Sequence, residues 1–397
     1  MKKFFERIIE GILTCSGFVT SITIMLIIVF LFSEAFGLFG SKAIEDGYVL
    51  AFNKQNKVTE LSPIQTKKVF DGEITNWSQV GGSNTPITVF RLENLTDYYT
   101  EEELGPEYAY AGAKIAELIN KNPGMIGFIP DTYLDKKFQG HIMKDKTISI
   151  KDVVGGTEWF PTATPAPLFG ILPLITGTLW VSFFAILFAL PFGLSVSIYM
   201  SEVSSHRVRD ILKPIIELLS GIPSVVYGFF GLIVIVPLIQ KIFNLPVGET
   251  GLAGSIILAI MALPTIITIS EDAIRTTPRS MKEASLALGA NKWQTIHRVV
   301  IPYSISGITA AAILGIGRAI GETMAVLMVT GNAAVIPHTI LAPVRTIPAT
   351  IAAELGEASQ GGLHYKALFA LGCILFIITL CINLIVEYIS SWRRYKV

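Results

Sequence analysis

The stretch TTPRSMKEASLALGANKWQTIHRVVIP, residues 276–302, decides the fold, because it is polar and helix-forming yet lies between two long apolar runs, 252–269 and 305–329. Its local signals predict two short helices joined by a sharp turn. Thr277 can cap a helix that opens with Pro278, where a missing N–H does no harm. Gly289 suits the left-handed residue that ends this helix, and Asn291 with Gln294 can start a second helix running toward Pro302. On composition alone the segment fits an interfacial hairpin with basic residues near lipid headgroups.

Working outward, 51% hydrophobic and 16% charged residues, with a mean hydropathy of +0.57, exclude an ordinary water-soluble protein of this length. The chain reads as an all-α polytopic membrane protein carrying one α/β insert. Six apolar runs are long enough to span: 12–32, 174–199, 215–239, 252–269, 305–329 and 367–388. The N-terminal MKKFFER resembles the start of a signal peptide, but the apolar run after it is too long and lacks a cleavage site, so it reads as an uncleaved first span. Phe4, Phe5, Ile8, Ile9 and Ile12 recur at helical spacing, which fits an interfacial lead-in helix or simple continuation of the span. Basic residues cluster at Lys2, Lys3 and Arg7, at Arg207, Arg209 and Lys213, at Arg275, Arg279, Lys282, Lys292 and Arg298, and at Arg393, Arg394 and Lys396. Six spans bring all four clusters to one side, which the positive-inside rule makes the cytoplasm, with both termini. Equal numbers of basic and acidic residues, 31 each, give no sign of a nucleic-acid partner. Cys15, Cys373 and Cys381 lie in apolar runs without disulfide or metal spacing.

Between the first two spans lies an extracytoplasmic insert, 34–168, with the marks of a folded domain. Residues 47–52, 86–91 and 125–129 read as strands; Ser62-Pro63-Ile64-Gln65 starts a helix with a capping box, and a second helix over 106–120 ends at Asn122-Pro123-Gly124. The insert closes with the proline-rich WFPTATPAP, 159–167, an extended linker. Residues 1–33 then form the lead-in and first span, and 169–397 the remaining five spans.

The fifth run contains GIGRAIGETMAVLMV, 315–329, with two opposite charges inside the membrane. In a continuous helix Arg318 and Glu322 share a face one turn apart and can pair, while Gly315, Gly317 and Gly321 permit close helix packing. Each charge costs about 2.5–3.5 kcal/mol at a helix centre, so both must face protein or a water-filled path. They form either a structural ion pair or a route for a multivalent anion. Glu217, Glu271 and Asp272 read as solvated or helix-end residues, and RTIPATIAAELGEA, 345–358, as a re-entrant or interfacial helix or a solvated loop helix, in an outer loop with Asn332 and His338.

Glu283-Ala284-Ser285, Gly289-Ala290 and Val299-Val300-Ile301-Pro302 resemble the EAA loop of ABC-importer permeases, with Ser285 in place of the second alanine and Val299 and Ile301 in place of other aliphatics. The resemblance implies the type I importer permease fold with a coupling loop, 272–303, that docks in a groove of a separate ATPase. It narrows to the phosphate-specific (Pst) permeases, the C subunit (PstC) in particular, over 169–202, GIPSVVYGFFGL at 221–232, GIGRAIGETMAVLMVTGN at 315–332, 345–357 and 363–372. It implies that Arg318 and Glu322 serve phosphate import, and that the partners are a sister A-type permease (PstA-like), an ATPase dimer (PstB-like) that binds ATP and Mg, and a phosphate-binding protein (PstS-like). No phosphate-binding loop occurs in this sequence and no cofactor of its own is expected. Within the insert, 61–82 and 120–130 resemble the phosphate-binding protein; Arg91 is kept, but the Ser-Gly-Thr that should follow is absent, Glu93 adds negative charge and the insert is short for two lobes, which favours a partial lobe that docks the binding protein or shapes the outer mouth over a domain that binds phosphate itself. A permease for molybdate or sulfate is the nearest alternative. An ion-coupled transporter would have no use for an EAA loop, and a membrane-anchored receptor would not need six spans.

Overall fold

The computed structural model describes residues 2–44, 47–134, 138–143 and 147–394, with side chains from 9 to 388. The side chains behind the expected lead-in at residues 4, 5 and 8, and the basic flanks at 2, 3, 7, 393, 394 and 396, lie outside that description. The backbone there is helical as far as it is described, and α1 runs unbroken over Lys2–Phe36. Among the described residues six helical segments are long and apolar enough to cross a membrane: Ile9–Phe36, Leu172–Val203, Ser224–Phe243, Gly251–Arg275, Lys292–Gly321 and Leu363–Tyr388. The chain divides into a membrane unit, comprising residues up to Ser33, Ile171–Gln360 and those from Leu368 on, and an insert unit of Glu34–Gly170 with Gly361–Ala367.

The insert unit is a three-layer α/β module built on β1 (Tyr48–Phe52), α2 (Pro63–Phe70) and β2 (Thr88–Arg91). Short turns α3 (Leu95–Tyr98) and α4 (Glu101–Leu104) lead to α5 (Ala111–Lys121), β3 (Met125–Pro130), β4 (His141–Ile142) and α6 (Ile150–Val154). The sheet order is β2-β3-β1-β4, with β1 antiparallel and β2 parallel to β3. Strand alternation separates two cores. Leu50, Phe52, Ile126 and Phe128 pack with Val69, Phe70 and Trp77 on one face, while Ala51, Phe90, Met125 and Ile129 pack with Ile115 and Ile119 on the other. The capping box forms as its residues predict: Gln65 N–H donates to Ser62 Oγ at 3.2 Å and Ser62 N–H to Gln65 Oε1 at 2.9 Å. The second helix begins at Ala111 rather than 106, because Glu107 and Tyr108 take left-handed φ of 51° and 60° and divert the chain. The proline-rich segment is no free linker: β5 (Trp159–Phe160) pairs antiparallel with β6 (Leu168–Phe169).

The membrane unit is organised around α7 (Leu172–Ile198) and α11 (Gly251–Arg275), which pack along each other. Association in lipid gains little from hydrophobicity, so close approach and hydroxyl bonds carry it. A Cβ at Gly193 would stand 2.7 Å from Ile266 Cγ2; Ser197 Oγ donates to Ile267 O at 3.1 Å and Ser255 Oγ to Val181 O at 3.2 Å. The third span starts later than its apolar run suggests. Residues 206–220 form a separate amphipathic helix, α8 (His206–Ser220), and Gly221-Ile222-Pro223 breaks the chain before α9 (Ser224–Phe230) and α10 (Val236–Phe243), because Pro223 lacks an N–H and drives Ile222 from helical geometry. Two π turns, Gly231–Ile235 and Ile296–Val300, each immediately precede a residue followed by proline, at Val236-Pro237 and Ile301-Pro302. Widening the helix there relieves the clash of each ring with the carbonyl four residues back.

Candidate transport route and coupling surface

The helix–turn–helix of residues 276–302 forms largely as its residues predict: α12 (Arg279–Ala287), then Gly289 at φ 85°, then α13 (Lys292–Thr295), whose Asn291–Gln294 capping box is complete. Thr277 does not cap α12. Its hydroxyl lies 3.1 Å from Ser304 Oγ in a buried contact with α14 (Ile301–Gly321), so the loop is tied at its root to the span that follows. Ser285 Oγ lies 3.0 Å from Thr295 Oγ1 and clamps α12 to α13, and Lys282 donates to Glu202 in the π turn Tyr199–Val203 at the end of α7. The outer surface is apolar and small: Leu288 is 90% exposed, Met281, Leu286 and Trp293 are exposed, and Glu283, Ala284, Ala287 and Gly289 offer their faces to solvent. Ala290 is half-buried behind the turn, and Pro302 sits in the first turn of α14.

Arg318 and Glu322 do not share a helix. α14 ends at Gly321, Glu322 is extended at φ −72° and ψ 132°, and a new short helix, α15 (Met324–Val329), follows. The expected pair is therefore corrected by a break in the span. Glu322 Oε1 accepts from Ala325 N–H at 3.3 Å, and Thr323 Oγ1 donates to Gly321 O at 3.3 Å; these local bonds replace the helical ladder. Both residues are half-buried, and among the described residues Arg318 makes no hydrogen bond or ion pair. Of the three glycines only Gly315 serves close packing within this chain, where a Cβ would stand 3.0 Å from Ile266 Cδ1; the Cβ positions of Gly317 and Gly321 meet open space.

Residues 189–395, more than half of the chain, match the family described as "Binding-protein-dependent transport system inner membrane component". The chain belongs to this family. It is a multi-pass inner-membrane permease of the ABC importer class, and residues 32–150 match the "PBP superfamily domain". It is 40% identical over 237 residues to the "Probable ABC transporter permease protein YqgH" of Bacillus subtilis (strain 168), covering 60% of this chain and 76% of that one. It is 41% identical over 239 residues to the "Phosphate transport system permease protein PstC" of Mesorhizobium japonicum, covering 55% and 73%. A solved inward-facing structure of the MetNI methionine ABC transporter aligns with a TM-score of 0.45 at 18% identity, over 56% of this chain and 97% of that one.

The permease carries a second charged cluster at the end of α11, where sequence reading placed solvated or helix-end residues; Asp272 is exposed, but Glu271 is not. Glu271 is 1% exposed, facing Arg209 Nη2 at 3.1 Å, Lys213 Nζ at 3.1 Å and Arg275 Nη1 at 3.6 Å, with Asp272 at 3.4 Å from Lys213. The cluster fastens α8 to α11. Hydrogen bonding to Glu271 is the largest influence on Lys213 and raises its pKa above the ordinary lysine value, against the opposing effect of burial. The clue in the sequence was a set of complementary charges 58 and 62 residues apart, which no local pattern pairs. Glu217, by contrast, is exposed as expected.

At the far end of the same permease unit, 345–354 is packed rather than solvated. Helix α16 (Ile347–Glu354) buries Ile347, Ala349 and Thr350, Ile347 N–H donates to Thr178 Oγ1 at 2.9 Å, and Arg345 pairs with Glu354 at 2.7 Å. Gly177 makes room for this, since a Cβ there would stand 2.3 Å from Arg345 O. Asn332, at φ 48°, donates to Leu327 O at 2.6 Å and closes the end of α15. His338 is exposed, as is Glu357.

Proposed function

We propose that this chain is the C-type permease subunit of an ATP-driven phosphate importer and forms half of its translocation pathway, with Arg318 on that pathway. The observation that carries the reading is the break at Glu322. It leaves the Arg318 guanidinium without an acidic partner among the described residues, while the Glu322 carboxylate is engaged by Ala325 N–H. An arginine of this kind lowers the barrier to a multivalent anion by charge-assisted hydrogen bonds, and the nearby carboxylate keeps the site from holding the anion too tightly. The relatives named as phosphate permeases support phosphate over sulfate or molybdate.

In this reading the apolar tip of the loop, from Glu283 to Gly289, docks on a separate ATPase dimer, and closure of that dimer moves the α12–α13 hairpin. Its ties to Glu202 and Ser304 pass the motion to the second and fifth spans. A sister A-type permease supplies the other half of the path. Both termini are cytoplasmic and 34–168 is extracytoplasmic, where the insert docks a phosphate-binding protein instead of binding phosphate itself. The insert's Arg91 supports that division: it already contacts Thr164 Oγ1 at 3.4 Å and lies over the Phe70 ring at 5.4 Å.

The test is uptake of labelled phosphate by proteoliposomes that contain this subunit, its sister permease, the ATPase and the binding protein. ATP-dependent uptake blocked by unlabelled phosphate, and not by excess sulfate or molybdate, is the expected result. Displacement by either other oxyanion would overturn the substrate, and independence from ATP would overturn the class.

A further inference from the structure

Two helices of the membrane unit each follow a break, α9 after Gly221–Pro223 and α15 after Glu322–Thr323, and α9 packs along α15. Gly228 makes the approach possible. A Cβ there would stand 2.9 Å from Ala325 Cα and 2.8 Å from Met328 Sδ, and one turn on, a Cβ at Gly231 would stand 2.8 Å from Val329 Cγ1. Ala325 and Val329 are buried in this contact.

Beside Gly228 sits Tyr227, 7% exposed, whose hydroxyl donates to Leu219 O at 2.8 Å. The choice of acceptor has a physical reason. Leu219 lies four residues before Pro223, so its carbonyl is the one that a helical N–H at position 223 would have satisfied, and proline has none to give. Ile222 N–H reaches that carbonyl at 3.3 Å, and the phenol adds a second, shorter bond that ties α9 back across the break to the end of α8.

We propose that Tyr227 and Gly228 are positioning residues for transport: they couple α9 to α15, so that rotation of α9 carries with it the helix that begins just after Glu322 and bends the chain at the break behind Arg318. The proposal rests on the pathway reading and adds to it the element that moves the charged segment. Tyr227 touches no anion in this scheme. Its hydroxyl holds the hinge at a fixed angle, and Gly228 keeps the two short helices in backbone contact.

The test uses the full reconstituted complex with Tyr227→Phe or Gly228→Ala, measuring KM and maximal rate of ATP-driven phosphate uptake alongside ATP hydrolysis stimulated by the binding protein. Tyr227→Phe is expected to lower the maximal rate about tenfold with KM changed less than about twofold, in complexes assembled to the wild-type level. Gly228→Ala is expected to lower it further. A raised KM at unchanged maximal rate would overturn the positioning role, and wild-type uptake by both variants would overturn the hinge. If Gly228→Ala fails to assemble, Tyr227→Phe decides alone. Should the wild-type complex carry no phosphate, the substrate reading fails, and stimulated ATP hydrolysis then judges the hinge: a fall in the variants supports it and an unchanged rate contradicts it.

Discussion

Glu271 and Arg318 are both charged residues set within spanning helices, yet the chain treats them oppositely. Glu271 is buried at the end of α11 and met by Arg209, Lys213 and Arg275. Arg318 sits at the break of the fifth span with no acid or hydrogen-bond acceptor engaged among the described residues, and the carboxylate four positions on is turned to its own backbone. A charge that serves the fold is surrounded by its complements, because an unpaired charge in low dielectric is costly. A charge left without them is held for something that arrives later. The contrast fits a structural role for the first site and agrees with the transport role proposed for the second.

Removing the acid from the neutralised cluster is the most severe way to break this comparison. Glu271→Ala leaves two or three cations facing one another and is expected to destabilise the permease by about 3–5 kcal/mol, read as a lowered unfolding temperature in detergent. A near-wild-type value would mean that the cluster is not structural. Gly289→Glu acts at neither site: it places a side chain at φ 85° and a charge on the apolar tip, and uptake should be lost while the subunit still inserts in the membrane. Transport at the normal rate would refute the coupling surface.

A smaller effect sharpens the structural half. Because Glu271 holds Lys213 protonated, the folded chain keeps that proton more tightly than the unfolded chain does. The resulting stability is complete below the ordinary lysine value of 10.5 and is lost as pH rises through the higher folded value. Unfolding temperatures followed from about pH 9 upward should fall in the wild type and show less of that dependence in Glu271→Gln; parallel curves would contradict the linkage. Smallest of all, Gly317→Ala should change stability by no more than about 0.5 kcal/mol, since its Cβ meets open space, whereas Gly315→Val should be clearly destabilising. Equal effects on unfolding would refute the distinction.

What was legible in the sequence was local. The six apolar runs, the turn at Gly289, and the capping boxes at Ser62 and Asn291 follow from spacing and side-chain chemistry within a few residues, and each is present. Family membership was legible too, through the EAA loop. What stayed hidden depends on partners distant in sequence or on competition between local bonds. Apolar periodicity ran through both breaks, because Ile215, Leu218 and Leu219 of α8 look like the third span, and Met324–Val329 looks like the fifth. Thr277 found Ser304 across 27 residues instead of capping α12. Gly317 and Gly321 could be counted as packing residues only until the neighbours of each were known.

The most direct test of the central claim is ATP-driven phosphate uptake by complexes carrying Arg318→Gln, measured with the unfolding temperature of the same preparation. The account predicts that uptake is abolished while assembly and unfolding temperature stay near wild type. Wild-type flux would show that Arg318 does not serve the anion, and a loss of uptake that tracks a collapse in stability would place it with Glu271 as a structural charge.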